Sequence, residues 1–252
     1  MNTTIIGIDC AAQPKDIGLA LGYFDGQTTT IKQVISGRKT EDDVLNTTID
    51  WIRSGELALL AVDAPLGWPI ALGSVLTKHI AGAPIDTPAD TLFRRCTDRV
   101  VRDDIHKQSL DVGADRIART AHAALRLLDN LRRRTGQEIP LAWEPTTFSG
   151  ICAIEVYPAA TLIAHGLPTS GYKKKEGNEA RKSILDQMAS KGLRLPSDER
   201  RTCENCDDAL DAVLCVLAGV DFLQGNAIRP EDVSVPLGLA QKEGWIWVKK
   251  PN

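Results

Sequence analysis

Four stretches of the chain place carboxylates where they can do chemistry. Three short apolar runs end in, or carry near their ends, an acid: Ile5-Ile6-Gly7-Ile8-Asp9, Leu57-Ala58-Leu59-Leu60-Ala61-Val62-Asp63 and Ile151-Cys152-Ala153-Ile154-Glu155. The fourth is a late helical segment that opens with Asp207, Asp208 and Asp211. An aspartate closing a buried strand lands at the rim of a sheet, where open α/β sheets place their binding crevice. Asp208 and Asp211 are three apart, and Asp207 and Asp211 four apart, so either pair shares one helical face. Several carboxylates gathered at one rim repel each other unless a cation neutralises them. Magnesium does so through carboxylates, water and substrate phosphate. Two such ions about 4 Å apart can activate water and stabilise the leaving oxygen of a phosphodiester. Taken singly, each acid also has an ordinary use. Asp9 can end a strand, Asp63 can form a turn before Ala64-Pro65, and Asp207 and Asp208 can cap a helix.

The elements that must position these acids are legible in the hydrophobic pattern. Apolar runs at residues 5–9, 17–24 and 28–35 read as three strands, with Asp25-Gly26 as a hairpin turn, so the chain opens as an antiparallel meander. Thr40 followed by Glu41, Asp42 and Asp43 marks a helix start that runs to about residue 53. Residues 57–63 and 151–156 are further buried strands. Between them, residues 65–150 read as a largely helical insertion, with its clearest helix at 115–134. Helices follow at Pro158, at 178–190 and at 207–223, the last carrying Leu210, Val213, Leu214, Leu217 and Val220 at helical spacing. The expected architecture is a single α/β domain over 1–252, a mixed sheet with helices on its faces.

Composition limits the function classes. Formal net charge is −3, which argues against broad adhesion to polyanions. Residues 94–134 nevertheless hold eleven basic and six acidic side chains, a local excess of +5, so a phosphate-holding arm beside an acidic site is one reading and a solvated helix face the other. No apolar run approaches the ~20 residues needed to span a bilayer, and the opening Met1-Asn2-Thr3-Thr4 has no basic n-region. Six dispersed cysteines in a chain of this size read as reduced thiols in a cytoplasmic protein. Cys203 and Cys206 lack a second pair of ligands for zinc and read as a helix-entry turn. There is no Walker-type phosphate loop and no G-x-S-x-G.

Gly7-Ile8-Asp9 with its meander, Ala61-Val62-Asp63-Ala64-Pro65-Leu66-Gly67, Glu155-Val156-Tyr157-Pro158 and Asp207-Asp208-Ala209-Leu210-Asp211-Ala212 follow one another in the order seen in the domain-of-unknown-function 429 family. The chain resembles that family over nearly its whole length. The segment from Arg95 to Arg102 and the loop Tyr172-Lys173-Lys174 with Gly177 and Arg181 fit it too. The family is regarded as predicted nucleases of the ribonuclease-H fold. The resemblance implies that Asp9, Asp63, Glu155, Asp208 and Asp211 are metal ligands for Mg2+ or Mn2+. It further implies that Arg99, Arg102, Lys173 and Arg181 contact phosphate or substrate. Cys10 departs from the Gly or Ala that many members carry after the first aspartate.

The resulting expectation is a metal-dependent nuclease acting on nucleic acid, with Asp9 bridging two ions and activated water attacking phosphorus. Two rivals share the fold. An actin- or sugar-kinase-like phosphotransferase would use Asp9 to position Mg-ATP, though such proteins usually need two such domains. A silent binding module would keep the sheet and lose the acids.

Overall fold

The computed structural model describes residues 3–37, 40–147 and 149–251; Met1 and Asn2 of the opening segment lie outside them. Its centre is a six-stranded mixed sheet that runs, edge to edge, through β5 (Ile151–Glu155), β4 (Ala58–Asp63), β1 (Thr3–Asp9), β2 (Gly18–Phe24), β3 (Thr29–Ser36) and β6 (Leu193–Arg194). The strands β1 (Thr3–Asp9), β2 (Gly18–Phe24) and β3 (Thr29–Ser36) form the antiparallel meander. The Asp25 carboxylate accepts the Gln27 and Thr28 amides at 2.8 and 2.7 Å, and Gly26 takes φ +101°, the side-chain-closed turn that Asp-Gly favours. β4 (Ala58–Asp63) runs parallel to β1, and β5 (Ile151–Glu155) parallel to β4. This is the ribonuclease-H-like mixed sheet, flanked by helices, that the sequence leads one to expect.

Period-two alternation sorts the strand residues onto two cores. Ile5, Ala20, Phe24, Leu59, Ala61 and Ile154 pack beneath α9 (Asp207–Leu223), together with α6 (Pro158–Ala164). Ile6, Ile8, Leu19, Leu21, Leu60 and Val62 pack beneath α1 (Glu41–Ile52) and α5 (Asp115–Thr135). The start of α1 is fixed by a capping box in which Thr40 and Asp43 exchange side-chain and backbone hydrogen bonds.

Residues 65–150 are not uniform. Their first half holds α2 (Ile70–Leu76), which buries nothing, and α3 (Ala89–Phe93), followed by α4 (Cys96–Ile105). Their second half is α5, which buries Ala121, Ala124, Leu127, Leu128 and Leu131 against the sheet and so forms half of one covering layer.

Three elements were not legible in the pattern. They are α8 (Ser197–Asn205), which follows α7 (Asn178–Ser190), the two-residue edge strand β6 (Leu193–Arg194) and α10 (Leu237–Glu243). After α10 the chain returns beside β5, where the Trp247 amide donates to the Glu155 carbonyl at 2.9 Å. That contact covers the carboxyl end of the outer edge of β5, whose middle is covered by the Ala142 amide donating to the Ala153 carbonyl at 2.8 Å. Cys206 sits between α8 and α9, and all six cysteines are free thiols. No helix among the described residues is long and apolar enough to cross a membrane.

Two glycines set how closely α9 approaches the sheet. A Cβ on Gly7 would stand 2.0 Å from the Ala212 carbonyl oxygen, and one on Gly18 would stand 2.0 Å from that of Asp208. Backbone, not a flexible side chain, fills both spaces. Gly18→Ala should therefore lift the first turn of α9 and cost about 1–3 kcal/mol, as overpacking of a tight core does. The urea midpoint should fall accordingly, and an unchanged midpoint would refute the close approach.

Candidate functional site

β1 and β4 pair in parallel with Asp9 opposite Asp63, so both carboxylates leave the sheet at its carboxyl end. The glycine-permitted seating of α9 brings Asp208 and Asp211 to the same rim. Asp9 feels the charges of Asp211, Asp63 and Asp208, which means that four aspartates from three elements share one electrostatic neighbourhood.

Their proton affinities follow from that crowding. Burial, then Asp211 and Asp63, push the Asp9 carboxyl well above the usual carboxylate range. Burial and Asp211 push Asp63 up to about 8, with Lys173 opposing. Asp208, half-buried, is pushed up to about 6 by burial and then by Asp207. Asp211 is 1% exposed and also raised, chiefly by burial. Its Oδ2 meets Lys173 Nζ at 2.7 Å, whereas its Oδ1 is buried with no hydrogen-bond partner. The buried Tyr172 hydroxyl, which has no other partner, faces the same carboxylate and interacts with it.

Lys173 reaches this cluster from a loop that Arg181 pins. The Arg181 guanidinium is buried and donates to the carbonyls of Tyr172, Lys174 and Glu204 and to Asn178 Oδ1. Arg181 thus shapes the loop that carries Lys173, and its donors are already taken by protein acceptors. The ammonium of Lys173, on a side chain that is itself exposed, is thus presented to the acids from a loop held by a buried arginine.

Glu155 stands apart from the aspartates. β5 pairs with β4 so that Glu155 lies opposite Val62, not Asp63, and one residue of offset sends a side chain to the other face. Both Glu155 oxygens accept from Arg95, at 2.7 Å to Oε1 and 2.9 Å to Oε2, and Oε2 also accepts the Leu66 amide. Arg95 spends its remaining donors on Asp98, at 3.0 Å through both Nε and Nη2, and on the Glu243 carbonyl. This bidentate network forms one wall of a cavity of about 400 Å³ whose other lining includes Asp63, Tyr157, Lys107 and Lys173. Burial and Asp63 push the Tyr157 hydroxyl up to about 12. Arg95 and Glu243 escape a reading for site acids. Glu243 caps two helices at once, accepting the Ile70 amide at 2.8 Å and the Cys96 amide at 2.7 Å.

Just over half of the cations in the basic stretch are already paired with acids of this chain. Arg94, Arg95, Arg102, Arg126, Arg133 and Arg134 are all ion-paired, so six of the eleven cations of residues 94–134 already have acidic partners. Arg102 pairs with Asp103 and Asp90, Arg99 reaches the Asp90 carbonyl at 3.5 Å, and neither lines the cavity beside Asp63.

Among the described residues no group of three or more His, Cys, Asp or Glu side chains is gathered into a metal-coordination shell. In kind, the donors still suit a hard cation. They are carboxylate oxygens that repel one another, one of them is buried and unsatisfied, and a lysine ammonium already stands among them.

No curated protein matches the chain. Residues 7–235 match the model of a family described as "Protein of unknown function (DUF429)", and the chain belongs to that family.

Proposed function

We propose that the chain is a metal-dependent nuclease that hydrolyses phosphodiesters at the rim formed by Asp9, Asp63, Asp208 and Asp211. The observation that carries this reading is the convergence of those four acids, from β1, β4 and α9, around Lys173. A bound magnesium or manganese ion would supply Lewis-acid polarisation of a phosphoryl oxygen and an acidified water. Asp9, Asp63 and Asp211 would hold it, with Asp208 completing the set from the more open side. Glu155 would act from behind, keeping Arg95 in place and adding negative charge near Asp63. Lys173 would leave Asp211 for a phosphate oxygen once another cation satisfies that carboxylate.

The test is manganese titration by calorimetry, paired with cleavage assays on single- and double-stranded DNA and RNA. Wild type should bind manganese without nucleotide. Asp9→Asn and Asp211→Asn should each lose cleavage by roughly 100-fold or more while staying folded. Manganese binding that requires ATP would favour a phosphotransferase instead, and normal cleavage by either variant would remove that residue from the mechanism.

A further inference from the structure

A second cavity, of about 420 Å³, lies on the other side of α5 from the one beside Asp63. Its floor and walls come from the loop after β1, the start of α1 and one face of α5. Cys10, the residue that follows Asp9, lines both cavities. The N-terminal half of α5 therefore stands between the two cavities, with Ile117 and Thr120 facing one side and Ala118 and Arg119 the other. The volume lies within the range of small-molecule sites, which combine apolar walls with a few placed polar groups.

That combination is present here. Pro14, Ile17, Val44 and Leu127 supply apolar surface, while Gln13, Arg119 and His122 supply an amide, a guanidinium and an imidazole at the edge. Arg126, also at the edge, is engaged with Glu41 at 3.2 Å, but Arg119 and His122 make no ion pair among the described residues. Apolar faces with mixed donors and acceptors at the margin are what a planar heterocycle on a sugar requires. A long basic track, which a polynucleotide backbone needs, is not part of this cleft's lining, whose two arginines are Arg119 and the Glu41-paired Arg126.

We infer that this second cleft binds one nucleoside unit of the substrate, the unit adjoining the phosphate that the aspartate rim and Lys173 receive. The inference rests on the nuclease reading for the phosphate and adds the substrate's flanking group. Recognition by a compact cleft, and not by a long electrostatic surface, makes a nucleotide or a strand end the substrate class.

Adenosine, guanosine, cytidine and uridine, titrated without metal and followed by saturation-transfer NMR, test the cleft apart from the metal reading. At least one should bind the wild type, and Ala123→Phe, which fills the cleft, should weaken it about tenfold or more. Arg119→Ala should weaken it as well, which guards against misfolding of the larger substitution. Calorimetry with manganese should show Ala123→Phe matching the wild type, since Ala123 lies on the far side of α5 from Lys173. If no nucleoside binds, or if both variants bind it as the wild type does, the cleft inference is overturned. Absent manganese binding by the wild type would instead overturn the nuclease reading and leave nucleoside binding as a separate result.

Discussion

Arg95→Lys is expected to destabilise the protein by about 3–5 kcal/mol, the usual cost of breaking one side of a buried ion network. Arg95 and Asp98 are each 1% exposed, and Glu155 is 4% exposed. The guanidinium makes five bonds, two to Glu155, two to Asp98 and one to the Glu243 carbonyl. A lysine has three donors on a single nitrogen and cannot reach two carboxylates in a bidentate plane. It would leave at least one buried carboxylate without its cation, even though formal charge is conserved.

The damage would spread because the network ties distant segments together. Asp98 also accepts from Ser109 Oγ at 3.0 Å, Glu155 holds the Leu66 amide, and the Glu243 carboxylate caps α2 and α4. Gly244, at φ +88°, would bring a Cβ within 2.8 Å of Glu155 Oε2 and 3.0 Å of Arg95 Nη1, so the carboxyl-terminal segment is fitted closely around the pair. Urea denaturation gives the measurement. An Arg95→Lys protein within about 1 kcal/mol of wild type would show that the network contributes little.

This network also marks where a sequence reading stops. Asp9 and Asp63 were legible because a carboxylate at the end of an unbroken apolar run has few places to go but the rim. The meander was legible because Asp25-Gly26 is strong turn chemistry between two alternating runs. Asp208 and Asp211 were legible as a helical pair, and Gly7 and Gly18 give the reason they arrive beside β1 and β2.

Glu155 looked like a fifth member of the same set because its strand also ends in an acid. The difference lies in register: its partner on β4 is Val62, one position short of Asp63. Register between strands joined by a long helical segment is fixed by tertiary packing, so no local pattern reports it. The arginines misled for a related reason. Eleven cations in one stretch suggest an arm for phosphate, but Arg126 and Arg134 find Glu41 and Asp42 about ninety residues away in sequence, and only the packing of α5 on α1 brings them together. The edge strand β6 and helix α10 are too short to carry a period.

Asp63→Asn should make the metal-free protein more stable at pH 8.5 and leave it nearly unchanged at pH 4. In the folded state the Asp63 carboxyl is pushed from 3.8 up to about 8, mainly by burial and then by Asp211. A carboxyl raised in this way binds its proton more tightly in the folded protein than in the unfolded chain. Its contribution to stability is therefore fully present below the unfolded value and is lost as pH rises through the folded one. The asparagine imitates the protonated acid at every pH. Each tenfold difference in proton affinity between the folded and unfolded chain corresponds to about 1.4 kcal/mol. Relaxation of a crowded rim next to Lys173 reduces the full sum, so a gain of about 2–3 kcal/mol at pH 8.5 is expected, or roughly 5–10 °C in melting temperature.

Manganese should reverse the order. A divalent cation binds the ionised carboxylates and so stabilises the wild type most where their repulsion is greatest, with protons released on binding. Asp63→Asn should lose most of that stabilisation. Melting curves at pH 4 and pH 8.5, with and without manganese, separate the cases. An asparagine variant less stable than wild type at pH 8.5 without metal, or equally stabilised by manganese, would mean that Asp63 is an ordinary buried polar residue. A stability gain confined to high pH and cancelled by metal would instead identify a rim that folds against its own charge, a cost that persists in a protein when the charge is used.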